Sequence, residues 1–276
     1  MKITLESFLP TLKPWVVALG DEWPGNIIKP QFATWEVLHI LSLILLGGTA
    51  VLINLRIIGL GLREEPASEV LRNLRRWQDA GVIGIVITGV LIGTANAERL
   101  YASTAFVVKM MCLIAGVILT YGASRPVAQA DGQVSGRAKA FLVLGLGIWC
   151  AALGVFASSV QINPGLMHVL TAAALIAVIA LRGWTRWAAL LTLIAGTAAQ
   201  FVVATYVYAP DDLTHLDPIN QAFSAAFLGW ILAVGLTMTF QRRSDILSSP
   251  VARLIGYVSI LVWITAAAAG RWIAFA

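Results

Sequence analysis

Eight apolar runs, each about as long as a helix must be to cross the ~30 Å hydrocarbon layer of a bilayer, constrain this chain more than any motif does. They lie at residues 34–61, 80–97, 104–122, 140–160, 165–181, 187–208, 220–240 and 254–275. With 59% hydrophobic and only 12% charged residues, the chain cannot bury its apolar side chains in one water-soluble core. The expected class is all-α: a polytopic membrane protein with eight transmembrane helices.

The runs fall into two similar groups of four. Thr34 to Gly61 places His39 near its start and Arg56 near its end, and Asn163 to Gly183 repeats that order with His168 and Arg182. Thr104 to Tyr121 resembles Gln221 to Phe240, and a tryptophan followed by small residues recurs at Trp149 to Gly154 and Trp263 to Gly270. Three echoes in one order predict two tandem four-helix repeats, residues 34–162 and 163–276, joined by a tight Asn163-Pro164-Gly165 turn. Residues 1–33 precede them. Glu6, Pro10 and Pro14 interrupt what would be the apolar core of a signal peptide, so this stretch reads as an interfacial segment anchored by Phe8 and Trp15.

Charge sets the expected orientation. The loops on one side carry twelve Lys and Arg residues and those on the other carry five, while Arg56 and Lys109 lie within runs. By the positive-inside rule the arginine-rich loops are cytoplasmic, and both termini face the periplasm across a bacterial inner membrane. The net charge of +5 is then a topology signal, not a nucleic-acid surface. Cys112 and Cys150 both fall inside runs and no CxxCH is present, which removes a disulfide framework and a covalently attached haem from the expectations. No P-loop, dinucleotide fingerprint or nucleophile constellation occurs either.

An ionisable side chain inside hydrocarbon is costly unless paired, hydrated or liganded, so each marks a functional candidate. His39 lies about one and a half turns into its run, His168 about one turn, and Lys109 about five residues into the third run, so all three belong to one layer near the outer face. Glu36, one turn before His39, can orient its ring. Three arrangements suit this layer. A b-type haem would take axial imidazoles from His39 and His168, with Lys109 or Arg99 at its propionates. A copper or other transition-metal site would draw on Met110, Met111 or Met167 as soft donors. Alternatively the histidines hydrogen-bond across helices. His215, in the outer loop DDLTHLDP, reads as a solvated residue or a spare ligand. Gly81, Gly84, Gly89 and Gly93 read as places of close helix approach, and Arg56 and Arg182 as side chains reaching the headgroups.

The stretch from Pro30 to Gly61, with E-x-x-H and then L-R-x-x-G-L, resembles a family of uncharacterised bacterial four-helix membrane proteins. Trp77 to Ala97, Phe106 to Lys109 and Trp149 with its following glycine continue the resemblance through about the first 160 residues. A first-run histidine with a third-run lysine is also similar, more distantly, to copper-resistance D type proteins and to the four-helix haem-binding protoporphyrinogen oxidase. That resemblance implies haem at His39 and a supporting role for Lys109. Phe106 aligns with Phe223, which sets Ala226 opposite Lys109, so the second half lacks the lysine.

These features predict a membrane b-type cytochrome, a redox subunit more than a stand-alone enzyme, with iron between His39 and His168. It would carry electrons near the outer face, between quinol and a periplasmic c-type cytochrome or a dehydrogenase subunit. A transporter for copper or a small solute, and a porphyrinogen oxidase, are the competing classes.

Overall fold

The computed structural model describes residues 3–157, 165–208, 217–241 and 248–275, and every regular element among them is helical. Three short helices come first: α1 (Leu5–Phe8), α2 (Lys13–Asp21) and α3 (Gly25–Ile28). The long helices follow as α4 (Phe32–Ile58), α5 (Ala67–Ala95), α7 (Thr104–Leu119) and α9 (Gly136–Ala157), with the short α6 (Ala97–Tyr101) between α5 and α7 and α8 (Arg125–Gln129) after α7. Then come α10 (Gly165–Ala180), α11 (Trp184–Val207), α12 (Asp217–Phe240) and α13 (Pro250–Trp272).

Seven helical stretches among the described residues are long and apolar enough to cross a membrane. The protein is therefore a multi-pass, all-helical membrane protein. The fifth expected crossing is the exception: α10 has 16 residues, a length of about 24 Å at the standard rise, which falls short of the hydrocarbon thickness. The third crossing runs longer than expected. Its helix continues from α7 through a π-helical turn at Thr120–Ser124 into α8, giving an unbroken stretch from Thr104 to Gln129. The Asn163-Pro164 turn, the Asp211 and Asp212 loop and His215 lie outside the described residues.

Local sequence fixes the helix ends. α4 stops at Gly59, whose φ of 85° lies in the left-handed region that a residue with a Cβ avoids, and its N–H closes onto the Leu55 and Arg56 carbonyls. Ser103 and Ser249 cap α7 and α13 by accepting from the backbone N–H groups of Phe106 and Ala252.

Between apolar helices in lipid, close approach and dispersion replace the hydrophobic effect as the source of association. α4 and α5 meet where Gly81 lies on α4, so closely that a Cβ there would sit 2.5 Å from the Leu46 backbone nitrogen. α7 packs on α9 and α13, with Gly116 against the Trp263 ring and Gly145 against Leu119. α13 is the axis of the molecule: it packs on α4, α7, α10 and α12, and 72% of its membrane-length window is buried. Two buried indoles cross-link this centre, Trp263 Nε1 donating to Thr120 Oγ1 at 3.1 Å and Trp149 Nε1 to Thr265 Oγ1 at 2.9 Å. α11 lies at the opposite extreme, packed on α12 and α10 with 6% of its window buried.

The two groups of four helices do not pack alike. α13 enters the first group, between α4 and α7, whereas α9, its counterpart in the sequence echo, packs chiefly on α7.

Candidate functional site

Among the described residues, a histidine and a lysine meet where α4, α5 and α7 come together. His39 projects from the first third of α4, where its Cε1 is the nearest atom to the vacant side of Gly89 on α5; a Cβ there would lie 3.3 Å away. Gly89 thus leaves room for the ring. One residue earlier on α5, Thr88 Oγ1 lies 2.8 Å from His39 Nδ1. The Thr88 hydroxyl has a single hydrogen, and it is donated to the Gly84 carbonyl at 2.6 Å. By this hydrogen-bond network the proton between Thr88 and His39 belongs to Nδ1, which donates to Thr88. The neutral ring then presents a lone pair on Nε2. That nitrogen faces Lys109 Nζ of α7 at 3.4 Å.

Lys109 is held from the other side by α13, where Gly270 leaves space for its stem: a Cβ on Gly270 would lie 3.5 Å from Lys109 Cδ and Cε. The pair forms the polar end of a cavity of about 470 Å³. The rest of the wall is almost wholly apolar. α5 contributes Ile85, Val86, Gly89, Val90 and Gly93, α7 contributes Phe106, Met110 and Leu113, and α6 contributes Leu100 and Tyr101. Leu5, Val16 and Leu19 reach in from the N-terminal helices and cover one end. Tyr101 Oη donates to the Leu9 carbonyl, tying this cover to α6.

The arrangement offers a nitrogen lone pair and a cationic donor, side by side, to a molecule whose body is apolar. An oxygen beside the pair would accept from Nζ, and a hydroxyl that parted the two nitrogens would donate to Nε2 as well. Alternatively, Nε2 is a ready metal ligand whose opposite nitrogen is held by hydrogen bonding.

The other expected site residues lie elsewhere. His168 is exposed on α10, its ring edge-on to Phe227 with centroids 5.0 Å apart, and it does not line the cavity. Glu36 is exposed on α4 and is not the partner of the His39 ring, a place taken by Thr88. Arg99 donates to the Ala274 carbonyl at 2.6 Å and so ties α6 to the end of α13. Among the described residues no group of three or more His, Cys, Asp and Glu side chains converges as for a metal ion. Met110 lines the cavity, while Cys112 is buried in the packed core.

A second polar cluster lies toward the other end of α5 and α7. Arg125 donates to Asp79 Oδ1 at 2.6 Å and to Gln78 Oε1 at 2.7 Å, and its guanidinium stacks on the Tyr121 ring at 4.2 Å. Tyr121 Oη donates to the same Asp79 oxygen at 2.7 Å. Nearby, Ser124 donates to buried Asn54. Each of these groups answers another, so the cluster reads as a clamp that fastens α5 to the π-helical turn.

Sequence comparison adds a likeness to a protein family. Residues 25–156, just under half of the 276-residue chain, match a Family of unknown function (DUF6644). The matched stretch spans α3 to α9 and so includes Thr88 and both members of the His39–Lys109 pair. No curated protein and no solved structure matches the chain.

Proposed function

We propose that this protein is a membrane electron carrier whose cofactor is a b-type haem held from His39. The observation that carries the reading is the orientation of the His39 ring: Nδ1 is bound to Thr88, which leaves Nε2 as the unprotonated nitrogen, beside Lys109 in the wall of an apolar cavity. That is the neutral imidazole an iron requires. The donors present fit such a group: His39 would hold it, Met110, Lys109 and Tyr101 are further donor side chains of the same wall, and Lys109 is the cation available to a propionate. When bound, haem supplies one-electron chemistry. The chain itself would fix the ring of His39, exclude water with the α5 and α7 side chains, and hold a positive charge beside the site.

With α10 counted as a short crossing, the protein would have eight helices in two groups of four. The arginine distribution would place both termini in the periplasm of a bacterial inner membrane. Electrons would then pass near the periplasmic face, from quinol to a c-type cytochrome or a dehydrogenase subunit.

The 3.4 Å separation of Lys109 Nζ from His39 Nε2 favours a second reading. An ammonium group in contact with the coordinating nitrogen must move before a metal binds, whereas a quinol oxygen can accept from Lys109 Nζ beside the pair without displacing it. The absorption spectrum of the purified protein separates these readings. A reduced-minus-oxidised b-type spectrum that His39→Ala abolishes supports haem; a colourless, folded preparation from haem-replete cells rejects it and leaves quinol binding.

A further inference from the structure

The cavity has its polar end at the His39–Lys109 pair. Its other end is covered by α6 and the N-terminal segment, which carries Phe8, Trp15 and Trp23, all strongly exposed aromatic residues of the kind that settle at a membrane interface. Beside His39 the wall is made by α5 and α7, of which α5 packs mainly on α4 and α7 on α9 and α13. Three lining side chains there, Val86, Val90 and Met110, are 49%, 61% and 37% exposed, so this part of the wall reaches the outer surface. These side chains continue the apolar outer surface of the bundle formed by Ile83, Ile87 and Ile114. In a bilayer that surface meets lipid, not water.

We infer that the cavity is loaded sideways from the bilayer, through a portal between Val86 and Val90 of α5 and Met110 of α7, and that its ligand is a membrane-dissolved amphiphile with an oxygen-bearing polar group. The inference rests on the reading of this cavity as the functional site. An apolar wall of this extent desolvates a water-dissolved ion or small polar solute without repayment, whereas a molecule already in lipid loses little on entering. The His39–Lys109 pair is the polar anchor it meets. A porphyrin carboxylate and a quinol hydroxyl share the required chemistry, an oxygen that accepts from Lys109 Nζ.

The test uses the full chain in lipid vesicles, with Cys112 and Cys150 changed to alanine and the protein prepared from haem-starved cells so that labelling does not depend on an occupant. Gly93→Cys reports from inside the wall, where an added Cβ meets nothing closer than Leu100 Cδ1 at 3.8 Å. Ala102→Cys reports from the exposed connector. A lipid-soluble pyrene maleimide should modify the Gly93→Cys thiol, and a membrane-impermeant sulfonated maleimide should modify only that of Ala102→Cys. Val90→Trp, and separately Val86→Trp, should slow pyrene labelling of Gly93→Cys by an order of magnitude or more while thermal unfolding stays in place. Prior addition of hemin or of a decyl-chain ubiquinol then identifies the occupant by which of the two protects the thiol. The portal is overturned if the sulfonated reagent reaches Gly93→Cys as fast as Ala102→Cys, if the pyrene reagent fails to reach it, or if both tryptophan variants label like the parent. Protection by neither compound overturns the amphiphile. A colourless protein from haem-replete cells bears only on the haem reading and leaves these labelling results intact.

Discussion

Lys109 Nζ lies 3.4 Å from His39 Nε2, which joins two residues seventy positions apart into one two-point anchor. Neither could be placed in contact from its depth alone, because depth fixes a layer and not a direction. Contact requires that α4 and α7 turn these positions toward the same gap. Gly89 and Gly270 permit that turn by leaving the space that the ring and the lysine stem occupy.

Thr88→Val keeps the shape of the side chain and removes the acceptor for His39 Nδ1. The ring then loses its fixed tautomer, and affinity for the cavity ligand should fall ~10–100-fold, the effect usual for losing such an orienting partner. Stability should fall by about 1 kcal/mol, the usual net worth of one hydrogen bond. Titration of hemin or decyl-ubiquinol into both proteins, followed by thermal unfolding, checks the two effects separately.

His168→Ala and His39→Ala should behave differently. The first removes an exposed ring that touches Phe227 and should leave ligand binding at the cavity unchanged. The second should abolish it. Equal loss in both variants, measured by the same titration, would show that the two imidazoles act together.

Gly81→Ala should be among the most damaging small changes in the chain. The new methyl would be forced against the Leu46 backbone, which has no flexible end that can yield. Overpacking of this kind costs about 1–3 kcal/mol or more, so the unfolding midpoint in detergent should drop clearly, whereas Gly47→Ala, with no neighbour within 4 Å, should leave it near the parent value.

Arg125→Met removes the guanidinium that holds Gln78, Asp79 and the Tyr121 face together. The α5 carboxylate loses its cation, and the inner part of α5 should loosen from the π-helical turn. Faster hydrogen exchange in residues 75–82 than near Thr88 is the expected signature.

The class of the fold was legible because helix length and apolar composition are dictated by the bilayer. His39 and Lys109 were legible as candidates for the same reason, since charge and imidazole are rare inside apolar runs. Thr88 was not, because a threonine in an apolar helix satisfies itself on its own backbone and looks ordinary until a ring is seen beside it. The pairing of His39 with His168 followed from equal depth in two echoing halves. In the structure α13 packs on α4 and α7 in a way that α9 does not reproduce on α10 and α12, and His168 does not line the cavity that His39 enters. The bounds of α10 were legible too, since Arg182 and Gly183 end its apolar run just after Ala180.

The buried position of α13 also governs the order of assembly. It follows in chain order every helix it packs against, and it supplies Gly270 behind Lys109 and Trp263 behind Thr120. While the ribosome is still making it, α4 and α7 stand in the membrane with their facing surfaces covered only by lipid, and Lys109 has no wall at its back. The wall behind Lys109 is therefore completed only when α13 packs among the earlier helices, so the candidate cavity closes last.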